Sequence, residues 1–348
     1  QCQSSTPTGG EPLMTLEQRK FKNLIERSRG LAPIRVAVVN AAQKVVLETL
    51  REAGDLGLTE PTLIGDSRAI RDLAASVGLR VSSDHVIEAK SDESAAAAAV
   101  KLVRDQKADV LMKGQIHTDA LMHAILDSER GLRLPGRRVS HVFLCDIPSY
   151  SKLLFITDAA INIAPDVNAK AQILQNAIEL CHLLGVENPR VAALSAIETV
   201  NPAIPSTIDA ACLALMGQRG QITGAVIDGP LAFDNAISLR AADEKGIASK
   251  VAGQCDILLV PDLVSGNILA KNLEYLADAV AAGIVLGVSA PVVLSSRADQ
   301  SRARLTALAL AALIHHESAK LARPTNIPGD RPLECAPQPE TACCPLPG

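Results

Sequence analysis

The densest chemistry in this chain lies in the segment Ala290-Pro-Val-Val-Leu-Ser-Ser-Arg-Ala-Asp. An apolar run from Pro291 to Leu294 reads as a short buried strand. Ser295, Ser296 and Arg297 follow, and a helix-periodic stretch runs on through Leu305, Leu308, Leu310 and Leu313. Strand, short polar turn, then helix aims free backbone N–H groups and a positive helix end at one point. Hydroxyls and a guanidinium at that point make a receptor for an anion such as phosphate. A plainly structural reading is also open: Ser301 or Asp299 caps the helix and Arg297 faces solvent.

Other polar residues gather directly after apolar strands, where open α/β sheets bind ligands. After 109–112 comes Lys113-Gly114-Gln115-Ile116-His117-Thr118. Lys113 can reach an anion, Gly114 permits close backbone approach, and Thr118 can cap the next helix. The spacing is not that of a Walker A loop. After 153–156 comes a loop with Asp158 and Asn162, after 224–227 one with Asp228 and Asp234, and after 256–260 one with Asn267. Each alone is ordinary turn chemistry. Together they suggest one crevice lined by Lys, Ser, Arg and several Asp or Asn. His141 lies in an apolar strand and reads as a core histidine. His315-His316 ends a helix, where imidazole suits the dipole.

The elements that must position these residues alternate along the chain. Strands are expected at 34–39, 61–64, 109–112, 139–144, 153–156, 191–195, 224–227, 256–260 and 291–294. Helices are expected at 43–53, 67–77, 92–107, 167–184, 272–280 and 303–321. Apolar strands alternating with amphipathic helices predict an α/β fold with a mostly parallel sheet covered on both faces. The 348 residues are enough for one large or two ordinary domains. With 2% aromatics and no Trp, the core must be built from Ala, Val, Leu and Ile, and base-stacking nucleic-acid modules have no material. A net charge of −4 without a long basic run leaves no nucleic-acid footprint, and the apolar stretches are too short to span a bilayer.

Of the eight cysteines, Cys145, Cys181, Cys212 and Cys255 sit singly in apolar surroundings, as free buried thiols do. Cys335, Cys343 and Cys344 lie in a Pro-rich tail, and no pair has metal-ligand spacing. A reducing, cytoplasmic setting and no bound metal are expected. No signal peptide is visible and Met14 reads as a natural start. Residues 1–14 and 324–348 are aperiodic and expected to be disordered.

As an ordered set, these pieces resemble the phosphate acetyl/butyryltransferase family. The matches are Lys113-Gly114 with Thr118; Thr157-Asp158-Ala159-Ala160 with Asn162 and Pro165; Asn201-Pro202 with Thr207-Ile208-Asp209-Ala210-Ala211; Asp228-Gly229-Pro230-Leu231 with Asp234-Asn235-Ala236; Asp256 to Pro261 with Gly266-Asn267; and Ser295-Ser296-Arg297-Ala298-Asp299. The resemblance runs from about Arg35 to about Leu313. It implies two three-layer α/β/α domains with a cleft between them, similar to isocitrate and isopropylmalate dehydrogenases. Mapped here, 15–138 plus 287–323 form the first domain and 139–286 the second. A homodimer is implied, with no nucleic acid or membrane partner.

The implied reaction is acyl-CoA plus phosphate to acyl phosphate plus CoA through a ternary complex, with CoA and phosphate as substrates and no cofactor. Arg297 would hold phosphate or CoA, and Ser296 would donate to the developing oxyanion. Lys113, Gly114, Thr118, Asp158, Asn162, Asp228, Asp234 and Asn267 would bind substrate. Acetyl-specific members carry a base shortly after the Ser-Arg pair, at a position that falls on Ala303 here. Asp299 is the nearest carboxylate, open to the role of base or of cap. The wording Ser-Arg-Ala-Asp and Thr-Asp-Ala-Ala looks more like the butyryl branch. Two alternatives are a metal- and NAD-dependent hydroxy-acid dehydrogenase of related fold, for which Asp234 and Asp243 are the available carboxylates, and a non-catalytic CoA or acyl phosphate-binding protein.

Overall fold

The computed structural model describes residues 19–296, 299 and 301–321. Arg297 and the segments 1–14 and 324–348, with the expectations attached to them, lie outside the described residues. One sheet of eleven strands organises the described residues, in the order β3-β2-β1-β4-β11-β10-β5-β6-β9-β7-β8. The strands are β1 (Ile34–Val39), β2 (Thr59–Gly65), β3 (Val86–Glu88), β4 (Val110–Lys113), β5 (Ser140–Asp146), β6 (Leu154–Thr157), β7 (Arg190–Leu194), β8 (Val226–Leu231), β9 (Ile257–Leu259), β10 (Val280–Leu286) and β11 (Val292–Val293). The pairings are parallel except where β10 meets β11 and β5, and where β5 meets β6.

Those three antiparallel steps make the two flanking blocks of parallel strands run in opposite directions. Each block therefore points its carboxyl ends toward the central strands β10 and β5 from opposite sides. β11 runs on to Leu294, whose N–H bonds the Gly283 carbonyl of β10 at 3.2 Å. Gly283 in turn faces Phe143 of β5, one step from Val142, which pairs with Thr157 at the end of β6. Two sets of strand-end loops are thus delivered to one place.

The helices are α1 (Arg19–Ser28), α2 (Lys44–Asp55), α3 (Ser67–Ser76), α4 (Asp92–Arg104), α5 (Thr118–Leu126), α6 (Val167–Leu183), α7 (Pro205–Gln218), α8 (Phe233–Ile237), α9 (Leu239–Glu244), α10 (Leu263–Leu276) and α11 (Ser301–Leu321). Their starts are written in local chemistry. Asp66, Asp166 and Asp262 accept the third helical N–H of α3, α6 and α10, Ser91 and Ser94 cap α4 reciprocally, and Pro205 opens α7. Helix α11 is buried along Ala303, Leu305 and Ala307 to Ile314, and packs on α1, α2 and β10. It ties the first-block helices to the centre of the sheet.

Four sequence expectations need correction. The helix expected over 272–280 ends at Leu276, and Val280 opens β10 instead. The stretch from Leu263 through Asn267 is the start of α10, not a loop, because Asp262 caps it. Asp228, Gly229 and Pro230 lie inside β8 rather than after it. β8 is the edge strand, where a proline costs no ladder bond, and a β-carbon on Gly229 would stand 2.7 Å from the Ala193 carbonyl oxygen. Among the cysteines, 145, 181 and 255 are buried, but Cys212 on α7 is exposed. Burial pushes the Cys255 thiol up to about 11.

Candidate functional site

A cleft of about 690 Å³ opens where the strand ends converge. It is lined by Lys113 from the end of β4, His117, Thr118 and Asp119 from the start of α5, His141 and Phe143 from β5, Asn267 and Lys271 from α10, and Ser295 and Ser296 after β11. Of the residues expected from sequence, the fold brings Lys113, Thr118, Asn267 and Ser296 to this one wall. Thr118 is the first residue of α5 rather than its cap, and His117 holds the cap position without a side-chain cap bond.

Lys113 is 4% exposed, so its amino group is held at the cleft wall with little access to bulk water. Gly114 serves the chain itself. A β-carbon there would stand 2.4 Å from the carbonyl oxygens of Val39 and Asn40, so glycine lets β4 close against the end of β1. Lys271 lies four residues along α10 from Asn267, on the same helix face. Burial works against its charge, but the hydrogen bond from Lys271 to Glu274 and the negative charges of Glu274 and Asp299 together offset this and hold its pKa above the ordinary value.

The Ser295–Ser296 turn is braced from behind by Arg304 of α11, which is 1% exposed. Its Nη1 donates to Ser295 Oγ at 2.8 Å and its Nη2 to the Ser296 carbonyl at 2.7 Å. Asp299 closes the same turn: its Oδ2 accepts the Ser296 N–H at 2.7 Å, ahead of the first residue of α11. Burial, with a smaller contribution from the charge of Glu274, pushes the Asp299 carboxyl above the ordinary carboxylate range. In the sequence Arg304 looks like one of many arginines on a helix. Only its burial distinguishes it.

Asp158 and Asn162 stand behind the cleft. The Asp158 carboxylate accepts the N–H groups of Ala160 (2.9 Å), Ile161 (3.0 Å) and His141 (3.1 Å) and the amide of Asn162 (2.6 Å). Asn162 also donates to the Val139 carbonyl and accepts from Arg138. The pair knots the loop after β6 to the start of β5. Asp228 and Asp234 lie at the far edge of the sheet, outside the residues lining the cleft. Asp228 holds the Gly229 N–H, and exposed Asp234 pairs with Lys245 at 3.2 Å.

His141 is fully buried, and among the described residues neither ring nitrogen has a hydrogen-bond partner. An orphaned buried donor costs about 1–3 kcal/mol. Burial holds its pKa down at about 4, against the pull of the nearby Asp158 charge, so the imidazole is neutral. Its ring meets Phe143 edge-on, with centroids 4.4 Å apart. Among the described residues no group of three or more His, Cys, Asp or Glu side chains is gathered to hold a metal ion, and no helix is long and apolar enough to cross a membrane.

The cleft offers two lysines, hydroxyls and the amino-terminal end of α5 to whatever it binds, a setting suited to anions. The profile of the phosphate acetyl/butyryl transferase family matches residues 90–312. The chain is 50% identical over 294 residues to a phosphate acetyltransferase of Rhizobium meliloti, covering 84% of this chain and 93% of that protein. It is 40% identical over 296 residues to a phosphate butyryltransferase of Clostridium acetobutylicum, covering 85% and 98%. A crystal structure of a branched-chain phosphotransacylase from Enterococcus faecalis V583 superposes with a TM-score of 0.70 at 30% identity, covering 81% of this chain and 99% of that one. The chain belongs to the phosphate acetyl/butyryltransferase family and is an acyltransferase.

Proposed function

We propose that this enzyme moves a short acyl group, acetyl to butyryl, between CoA and inorganic phosphate in the cleft of Lys113, Ser295 and Ser296, through a ternary complex. Family membership carries acyl transfer between CoA and phosphate. The observation that supports the location is the meeting of buried Lys113, the braced Ser295–Ser296 turn and the amino terminus of α5 on one wall.

Phosphate bears two negative charges at neutral pH and needs cations and N–H donors to be held against a thioester. Lys113 supplies one cation, and Arg297 supplies the second in the role the family resemblance implies. The phosphate hydroxyl oxygen attacks the thioester carbon, and the carbonyl electrons move onto its oxygen, where the Ser296 hydroxyl donates. Collapse breaks the C–S bond and CoA leaves as its thiol, having gained the proton lost by the attacking hydroxyl. In the reverse direction the thiol proton needs a base. Asp299 is the carboxylate beside Ser296, and its raised pKa suits that task. Asn267 and Thr118 contact the substrates at the rim. Asp158 and Asn162 act through the loop they hold, and Gly266 of α10 lets that helix pack close against Ala159 of the same loop.

The strand blocks on either side of the β10–β11 pairing, 15–138 with 287–323 and 139–286, act as two domains in this proposal, with the cleft between them. A homodimer in a cytoplasmic setting completes it; exposed Val264, Ile268, Tyr275 and Leu276 on α10 give a second copy an apolar face. The test is thiol release from acetyl-CoA and butyryl-CoA with and without phosphate, with no nicotinamide or metal added. Release should require phosphate. Equal release in its absence would make the protein a thioesterase and remove this reading.

A further inference from the structure

His141 enters the cleft wall from β5, whose other buried polar residues, Ser140 and Asp146, are held by Asn176 and Lys20. Its imidazole is fully buried, and both ring nitrogens lack partners among the described residues. Whichever nitrogen carries the hydrogen, one N–H donor is left for an incoming group. The fold goes out of its way to keep the ring there. Position 283 on the neighbouring strand is glycine, and a β-carbon on it would stand 2.8 Å from Nε2. Phe143 packs edge-on against the ring, and Asp158 holds the His141 backbone N–H at 3.1 Å. Backbone and ring are each fixed, while the ring's polar atoms are left unused.

We infer that the neutral imidazole of His141 donates a hydrogen bond to the acyl carbonyl oxygen of the bound thioester, and so forms one arm of the oxyanion site opposite Ser296. This rests on the reading that the cleft is where acyl transfer occurs. The step needs no proton from the ring. Phosphate oxygen bonds to the thioester carbon, the carbonyl pair shifts to oxygen, and the N–H stays on the ring while its hydrogen bond strengthens with the charge. When the C–S bond breaks, the pair returns and the bond weakens. A neutral donor fits this use, because it does not compete with Lys113 for the phosphate. The groups that face it are Lys113, Lys271, His117, Asp119 and Asp158. Burial holds the ring's pKa at about 4 against the pull of the Asp158 charge and so keeps it uncharged across the working range.

The test compares His141→Phe and His141→Gln in the full chain, using acetyl-CoA, butyryl-CoA and inorganic phosphate. Phe keeps the ring and loses the donor; Gln keeps an N–H donor. His141→Phe should lose kcat by on the order of a hundredfold, the effect of removing one oxyanion donor, with KM for acyl-CoA nearly unchanged. His141→Gln should recover a substantial part of that loss. In wild-type protein with 15N-labelled histidine rings, one neutral imidazole N–H should move downfield when acetyl-CoA is added without phosphate, and that signal should be missing from whichever variant folds. A His141→Phe variant within threefold of wild-type kcat, or a histidine signal indifferent to acetyl-CoA, overturns the inference. Lys113→Met and Ser296→Ala separate the two levels. If they abolish turnover while His141→Phe does not, the cleft stands and the role of His141 falls. If they too are without effect, the cleft is the wrong site and both readings fall.

Discussion

Gly283 makes room for His141: a β-carbon on the glycine would stand 2.8 Å from Nε2 of the imidazole and 2.5 Å from the Leu294 carbonyl oxygen. The two residues sit on paired strands, β10 and β5, at the junction of the two blocks of the sheet. The glycine is required by space, since the second contact is backbone that cannot swing away. Leu294 is also the last residue before the Ser295–Ser296 turn, so anything that moves it moves the cleft wall.

Gly283→Ala should therefore damage stability and turnover together. Overpacking a filled site costs about 1–3 kcal/mol. The strand must shift, carrying either the imidazole or the turn after Leu294. A lowered melting temperature with a turnover loss of tenfold or more is expected. A variant with wild-type melting and rate would show that the neighbours yield freely.

Arg304 offers a cleaner separation of the two effects. Arg304→Met keeps much of the side-chain volume and removes the donors to Ser295 Oγ and the Ser296 carbonyl. Each buried group left unpaired costs about 1–3 kcal/mol, while relief from burying a charge works the other way. The net fall in stability should be modest, but the turn loses its brace, so kcat should drop by roughly tenfold or more. Arg304→Lys should behave similarly, because one ammonium cannot copy a guanidinium fork that serves two acceptors. Paired melting curves and phosphate-saturated rates decide it.

His141 also gives stability a pH dependence of definite sign. The folded-state pKa is about 4 against an ordinary 6.5, so between these values the unfolded chain binds more protons. Stability is full above pH 6.5 and is lost as pH falls toward 4. The loss is at most on the order of 3 kcal/mol, since each tenfold change in proton affinity is worth about 1.4 kcal/mol. His141→Phe should flatten this part of the profile. Urea midpoints at pH 7.5 and pH 5, compared between wild type and variant, would show the smaller drop in the variant. Equal drops would mean the ring titrates normally.

Much of this arrangement is legible in the chain, and the reasons for the remainder are specific. The apolar runs at 34–39, 109–112 and 291–294 announce strands because they are buried on both faces, and Lys113 and Ser296 follow them as strand-end residues. Strand β10 escapes a reading of the sequence because Val-Ala-Ala-Gly-Ile-Val-Leu carries neither alternation nor turn signals, and its glycine is explained only by the Leu294 carbonyl and His141 that pack against it. Asp228 and Asp234 have the look of site residues because Asp beside Gly-Pro resembles a ligand loop. Asp228 lies on the strand that closes the far edge of the sheet and Asp234 on the short helix after it, and nothing local says which edge. The brace by Arg304 and the orphaned nitrogens of His141 are properties of what packs across from them, which no local pattern records.

Asp299→Asn tests the remaining role in the site. The carboxylate accepts the Ser296 N–H through Oδ2, and the amide oxygen of Asn can accept the same bond, so the turn should keep its shape. The folded carboxyl is pushed above its ordinary range, chiefly by burial. Such a group favours folding while protonated and loses that contribution as pH rises through the ordinary value to the raised one. At neutral pH the ionised form is thus a mild liability, and Asn should leave the melting temperature equal or slightly higher. Turnover should behave differently. If Asp299 takes the CoA thiol proton, formation of acyl-CoA from acyl phosphate should fall by roughly a hundredfold or more. In wild type that rate should decline as pH drops through the raised carboxyl pKa, because the protonated acid cannot accept the thiol proton, and the decline should vanish from the residual rate of the variant. Wild-type turnover in Asp299→Asn, with the pH profile intact, would leave the carboxylate as a closure for the turn and nothing more.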